Sequence, residues 1–412
     1  MRAARIAADA AQNASLAVVV SAMAGTTDVL LNLSRATEDA DSRAPTGGAS
    51  EEAIAKLYGF LADRHLRAAR EAVPAEALPE TEARLRTLLD RLARVVDAPA
   101  ENLAARRDAV ASFGERLSAE ILAGAIAGFH KPASVVATDP IATDGEFGEA
   151  GVLAGETRRR AGLYVRPLLD RGAVAVVPGY VGRAPDGAVT TLGRGGSDLS
   201  ATVLGRALGA GEVWIMSDVV GVLDADPGLI PDARPIPSLS YREAARFAAL
   251  GAEVLHPKTT APAAAAGIAV RVRSTFDPAS PGTLISDRED GPGIRSVALR
   301  RGLSLARVAH ASANGVFCVL ETNAAGLDAL VDGDGIAAVV CVGVPTMDDL
   351  LAGLRSLHGA GVRPVWAGNT SAGLLFAVAE GSTGLALRAL HAGLIGESED
   401  TEPISPSTRE VA

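Results

Sequence analysis

The stretch Thr190–Ala201 reads TTLGRGGSDLSA. A strand-like approach ends in Gly193-Arg194-Gly195-Gly196, and a helix starts at about Ser197. Glycines let the backbone come close to a ligand, and a helix N-terminus offers free N–H groups to an anion. Arg194 can hold a carboxylate or phosphate through two parallel hydrogen bonds. Asp198 can orient an amine or a metal-bound group. Taken alone, the same residues also suit a tight turn with Ser197 as a helix cap.

These residues need elements to position them. Residues 2–13 read as a helix, and Ser15–Ser21 (SLAVVVS) as a short buried strand. The loop Ala22–Thr27 follows, with Asp28 a suitable N-cap for a second helix. From about 50 to 128 the pattern is helical, broken at Pro74, Pro79 and Pro99. Strands return at Ser134–Ala137, Val174–Pro178, Glu212–Met216 and Val270–Arg273. Helices near Arg158–Asp170, after Gly196 and over Tyr241–Leu250 alternate with them. That alternation predicts an α/β fold, a three-layer unit around a mainly parallel sheet.

Asp287–Gly293 (DREDGPG) reads as a linker, which predicts one domain over 1–287 and a second over 294–396. In the second, a strand at Ile336–Val344 and a helix at Met347–His358 precede a strand pair, Val362–Ala367 and Leu374–Ala379. A last helix covers Gly384–Ala392. The tail 397–412 is acidic and polar and is expected to be disordered.

With 39 basic and 49 acidic residues the formal charge is −10, and Lys56, Lys131 and Lys258 are the only lysines. Net acidity argues against a broad nucleic-acid-binding surface, while a local arginine cluster can still hold phosphates. Cys318 and Cys341 lack metal-ligand spacing, so no metal-binding residues are assigned and a reduced interior is expected. No charged start with an apolar run and no run of about 18 apolar residues is visible, which points to a cytoplasmic protein without membrane contact.

Six ordered blocks resemble the aspartate kinases: SAMAGTTD (21–28), SFGERLS (112–118), TTLGRGGSDLSA (190–201), SDVVGVLDADP (217–227), SYREAARFAALGAEVLHP (240–257) and STFDPASPGTLI (274–285). The resemblance implies transfer of the γ-phosphoryl group of ATP, with Mg²⁺, to the side-chain carboxylate of L-aspartate. That is the first step towards lysine, threonine and methionine. Such chemistry needs positioned cations rather than a strong base, since a carboxylate is already a nucleophile.

By the same resemblance Thr27 contacts aspartate, Glu115 its α-amino group, and Tyr180 stands beside it. Arg194 clamps the α-carboxylate, with Ser197 and Asp198 completing the pocket; Arg194 and Asp198 are the catalytic pair. Gly195, Gly196, Ser217, Asp218 and Asp226 fall on the nucleotide side, and His256-Pro257 is structural. Each has a plainer reading: a turn-capping hydroxyl for Thr27, a solvated helix carboxylate for Glu115, a core ring for Tyr180, an Asx turn for Asp218.

Three departures fall on phosphate-binding charge. The family's opening strand, Lys-Phe-Gly-Gly-Thr-Ser, does not occur among these residues, because by the family pattern Met1 falls within the helix that follows it, which is also what a start placed too late would give. Gly228 stands where the family has arginine after Asp-Pro, and Glu253 where it has lysine; Lys258, five residues on, is expected to point elsewhere. One such cation can be worth several kcal/mol in a dry site. The resemblance therefore carries an alternative, a catalytically impaired paralogue that binds an amino acid or serves a competent subunit. The C-terminal region resembles the family's ACT repeats, with the first repeat (294–335) degenerate. It implies an amino-acid effector site and a homodimer, or an appendage used for dimer contact only.

Overall fold

The computed structural model describes residues 1–42, 48–99, 101–249, 255, 257–288, 292–308, 316–321, 336–370 and 373–396. The predicted tail at 397–412 lies outside the described residues, as do Glu253 and His256.

The chain opens with α1 (Arg2–Ala10), β1 (Ala17–Val20) and α2 (Thr26–Ser42). Four helices follow: α3 (Gly48–Ala72), α4 (Leu78–Asp97), α5 (Leu103–Ala111) and α6 (Phe113–Ala127). Next come β2 (Ala133–Val135), α7 (Ala154–Tyr164), α8 (Arg166–Asp170) and β3 (Val174–Pro178). The hairpin β4 (Val181–Arg183) and β5 (Val189–Thr191) leads to α9 (Gly196–Leu208) and β6 (Glu212–Ser217). Then follow β7 (Ser238–Ser240), α10 (Tyr241–Ala249), α11 (Pro257–Ala264), β8 (Ala269–Ser274) and β9 (Thr283–Ser286). The remainder is β10 (Gly293–Val308), β11 (Val316–Glu321), β12 (Ile336–Val344), α12 (Met347–Gly359), β13 (Trp366–Thr370), β14 (Gly373–Ala379) and α13 (Thr383–Leu394).

These elements divide into two compact units, Met1–Gly221 with Glu253–Asp287, and Val222–Ala252 with Arg288–Ala412. Residues 222–252 thus group with the second unit, whereas the sequence reading placed them in the first.

In the first unit β3 lies between β1 and β2, parallel to both. All five residues of β3 are buried, and they serve two cores by alternation. Val174 and Val176 join Leu30, Leu117 and Ile126 on one side. Ala175 and Val177 join Val165, Leu199 and Val203 on the other. A sheet with helices on both faces is the three-layer arrangement expected from the strand–helix alternation. A second sheet pairs β6 with β8 in parallel and β8 with β9 antiparallel. The expected helix over 158–170 is two, α7 and α8, because Pro167 at the start of α8 has no N–H to continue the first.

The second unit is an antiparallel sheet in the order β11-β10-β12-β14-β13. Over 336–394 the order is strand, helix, strand, strand, helix, as anticipated. Its core holds Val339, Cys341, Leu357, Phe376, Leu387 and Leu390, together with Ala225 and Ile230 from the 222–252 segment. Thr346 and Asp349 form a reciprocal capping box at the start of α12. The strand expected at 362–367 begins later, at Trp366, and runs on to Thr370.

Candidate active site

The turn Gly193–Gly196 ends the β5 approach and starts α9. Gly195 is the N-cap at φ 71°, a left-handed conformation in which a side chain is strained, so glycine is required there. Ser197 is inside the helix and caps nothing. Gly196 is needed for space, since a Cβ there would stand 2.6 Å from Cδ2 of Tyr180.

Tyr180 itself sits at φ 63°, a conformation that costs a non-glycine residue about 1–2 kcal/mol. Its backbone is held on both sides: the N–H donates to Ser200 Oγ at 2.9 Å, and the carbonyl accepts from the Leu192 N–H at 2.9 Å. A non-glycine residue keeps such a conformation only where its surroundings over-determine it, as these bonds and the close approach of its ring to Gly196 do.

Glu115 lies in the first turn of α6 and is only 4% exposed. Its Oε1 accepts a hydrogen bond from the Ala22 N–H at 3.2 Å, while Oε2 is buried without a partner. Burial pushes this carboxyl up to about 7, against the pull of the Ala22 amide and the Arg116 charge. A half-neutral buried acid with a vacant oxygen suits a cationic ligand group, because an unsatisfied buried acceptor is costly unless a donor reaches it. Thr27 lies in the first turn of α2, where Asp28 also falls inside the helix rather than at its cap.

Ser21, Thr27, Glu115, Tyr180, Arg194, Ser197 and Asp198 line a single cavity of about 680 Å³, with Gly195 and Gly196 in its wall. Arg194 is exposed and Asp198 half-buried. Desolvation pushes the Asp198 carboxyl upward. The structure therefore brings together every residue expected on the acceptor side. It also adds Gly148 and Glu149, which the sequence reading missed; the Gly-rich, acidic stretch TDGEFGEAG was the signal available. Lys258, expected to point elsewhere, pairs with Glu149 of this wall at 3.2 Å.

The nucleotide-side residues are distributed differently. Ser217 ends β6, its hydroxyl donating to Asp218 at 3.1 Å, and its carbonyl accepts from the Thr275 N–H. Asp226 belongs to the second unit, where its carboxylate accepts from the Gly228 N–H at 2.8 Å in an Asx turn. Gly228 is exposed. Among the described residues no three His, Cys, Asp or Glu side chains group to hold a metal ion, and no helix is long and apolar enough to cross a membrane.

Known proteins bear on this site. The chain is 34% identical to aspartokinase 2 of Arabidopsis thaliana over 299 residues, 71% of this chain and 53% of that protein. It is 40% identical to the aspartokinase of Thermus thermophilus over 182 residues, 44% of each. The chain spans about half the length of the plant relatives it matches. Its structure superposes on Escherichia coli aspartokinase III in complex with aspartate and ADP with a TM-score of 0.67 at 25% identity, covering 95% of this chain and 96% of that one. The aspartate kinase of Clostridium acetobutylicum shares the fold, with a TM-score of 0.73 at 19% identity over 92% of this chain and 93% of that one. The family's sequence pattern runs through residues 1–274, across every element that builds the cavity, and the chain belongs to the amino acid kinase family.

Proposed function

We propose that the protein is an aspartate kinase, using ATP to convert L-aspartate to 4-phospho-L-aspartate. The observation that carries this reading is the cavity itself, which sets a guanidinium (Arg194) and a buried carboxylate (Glu115) in one lining with Thr27, Tyr180, Ser197 and Asp198. That set complements an α-amino acid: Arg194 takes the α-carboxylate through a charge-assisted pair, and Glu115 takes the ammonium group. The substrate's second carboxylate is then left free at the N-terminus of α9, where N–H groups and the helix dipole favour anions. The E. coli relative is described with aspartate and ADP bound, which supports the same pairing of ligands here.

In the transfer, a side-chain oxygen of aspartate bonds to the γ-phosphorus, the bond to the bridging oxygen breaks, and ADP leaves. The chain's part is to hold the acceptor in line and keep it ionised. Ser217 and Asp218 are the proposed nucleotide contacts of the first unit, and Asp226 is proposed from the resemblance alone. Magnesium, when bound, neutralises charge on the triphosphate. It usually relies on the phosphates and one or two carboxylates, and Asp198 fits as the protein's share. The second unit is proposed as an ACT-type module for an amino-acid effector and for homodimer contact.

A second reading, a subunit that binds aspartate without transferring phosphate, is favoured by one observation: Gly228 presents only a backbone turn where the resemblance implies a cation. Neutral hydroxylamine, which traps acyl phosphates, separates the two. The kinase reading expects a hydroxamate that requires both L-aspartate and Mg²⁺-ATP. Aspartate binding with no hydroxamate would establish the second reading, and neither binding nor product would remove both.

A further inference from the structure

Asp108, on α5, is buried to 4% exposure, far from the expected chemistry in sequence. Its Oδ2 accepts from the Gly148 N–H at 2.8 Å and from the Thr191 N–H at 2.8 Å. Its Oδ1 accepts from the Thr191 hydroxyl at 3.0 Å. One carboxylate thus ties together a helix, the last residue of β5 and the loop that carries Gly148 and Glu149. A fourth bond, from the Ala150 N–H to the Thr191 carbonyl at 2.9 Å, closes the same junction.

The junction stands directly behind the cavity. Thr191 leads by two residues into the Gly193–Gly196 turn, and Gly148 and Glu149 are cavity wall. The loop presses on that turn: a Cβ on Gly193 would stand 2.9 Å from Glu149 Cγ and 3.2 Å from the Gly148 carbonyl oxygen. Moving the loop or β5 therefore moves Arg194.

We propose that Asp108 is a positioning residue of the acceptor site, a buried clasp that fixes the Gly148–Glu149 wall against β5 and so sets where Arg194 stands. The inference rests on the proposed acceptor role of the cavity for its ligand, but not for the clasp itself. Burial raises the Asp108 carboxyl while the Gly148 and Thr191 donors and the Arg107 charge pull it back, so the group exchanges water mainly for these hydrogen bonds. The two backbone donors converge on Oδ2 and the Thr191 hydroxyl on Oδ1. An amide in its place can keep the two backbone bonds on its oxygen but without the negative charge that strengthens them, and its NH₂ forces the Thr191 hydroxyl to turn from donor to acceptor.

The test compares the full chain with Asp108→Asn, Thr191→Val, Thr191→Ser and Leu89→Ala. The last is a core change in α4, outside the cavity lining, serving as a stability control. Two readouts are taken: amide hydrogen exchange at Gly148 and Thr191, and calorimetric affinity for L-aspartate. The clasp predicts at least tenfold faster exchange at both amides in Asp108→Asn, beyond any change at core amides, and at least tenfold weaker aspartate binding. Thr191→Val falls between, and Thr191→Ser restores the wild-type values. Unchanged aspartate affinity in a folded Asp108→Asn, or an equal loss in Leu89→Ala at matched Tm, overturns the proposal. If the wild type itself binds no aspartate, the functional reading fails, and the exchange at Gly148 and Thr191 still decides the clasp. Should Asp108→Asn not fold, the Thr191→Val and Thr191→Ser pair carries the same comparison.

Discussion

Glu115 reaches across 93 positions of sequence to accept a hydrogen bond from the Ala22 N–H, 3.2 Å away. The contact joins the first turn of α6 to the loop that follows β1, and it makes one wall of the cavity from two distant blocks. Its second oxygen is buried without a hydrogen-bond partner among the described residues.

A titration follows from this burial. With its carboxyl raised to about 7, Glu115 is largely neutral in the free protein below that pH, whereas a bound ammonium group favours the carboxylate. L-aspartate affinity should rise with pH up to about 7, by about tenfold per pH unit, and level off above. Calorimetry at pH 6 in buffers of different ionisation enthalpy should show close to one proton released per aspartate bound. Binding without proton release would remove Glu115 as the ammonium partner.

The same group sets a stability trend of defined sign. Its folded value lies above the ordinary 4.5, so its contribution is complete below 4.5 and is lost as pH rises through about 7. The span corresponds to roughly 3 kcal/mol at most. Glu115→Gln has no such titration. Urea melts from pH 5 to pH 8 should show the wild type losing stability relative to that variant. A constant difference between them would contradict the burial of this carboxyl.

Gly196→Ala tests the close approach of Tyr180. The new methyl would need 2.6 Å from the ring to open to normal contact, at a cost of about 1–3 kcal/mol. Because Tyr180 is already fixed at φ 63°, the ring should swing and weaken aspartate binding roughly tenfold. Full affinity with unchanged Tm would show that the ring does not define the cavity.

How far these relations could be read beforehand depends on their range. The turn at Gly193–Gly196 was legible because glycine spacing and an approaching apolar run are local signals. The strand at Val174–Pro178 was legible because a short apolar run rich in valine after a glycine suits a buried strand, whereas the division of its residues between two cores was visible only in the packing. The Asp108 junction was not, since its partners Gly148 and Thr191 are ordinary backbone donors 40 and 83 positions away. The grouping of 222–252 with the C-terminal unit was also hidden. The bonds that make it, such as the Val297 N–H to the Asp224 carbonyl at 2.8 Å, carry no residue signature.

That grouping changes what truncation should do. A chain cut after residue 290 leaves Ala225 and Ile230 without Ile294, Val297, Val339 and Phe376, which share their core. It also removes the Gly343 carbonyl that accepts from Arg246. Limited proteolysis of residues 1–290 should therefore cut between about 222 and 249 and spare β1 to β6. Resistance equal to that of the full chain would show that the segment needs no partner from beyond the linker.

On the nucleotide side, Gly228→Arg should raise ATP affinity, alone and with Glu253→Lys. The backbone at Gly228 is not left-handed, and a Cβ there meets only Asp226 Oδ1 at 3.2 Å, a contact a small shift relieves. An exposed cation facing phosphate is worth about 1 kcal/mol, or roughly fivefold in affinity. Unchanged affinity in both variants would mean that neither position faces the phosphates.

Arg194 is proposed to hold L-aspartate in the cavity under the Gly193–Gly196 turn. Calorimetric titration of L-aspartate into the wild type and into Arg194→Ala measures that hold. One site per chain is expected in the wild type and at least a hundredfold loss in the variant, about 3 kcal/mol for a charge-assisted pair. Equal affinity in the two proteins would contradict it.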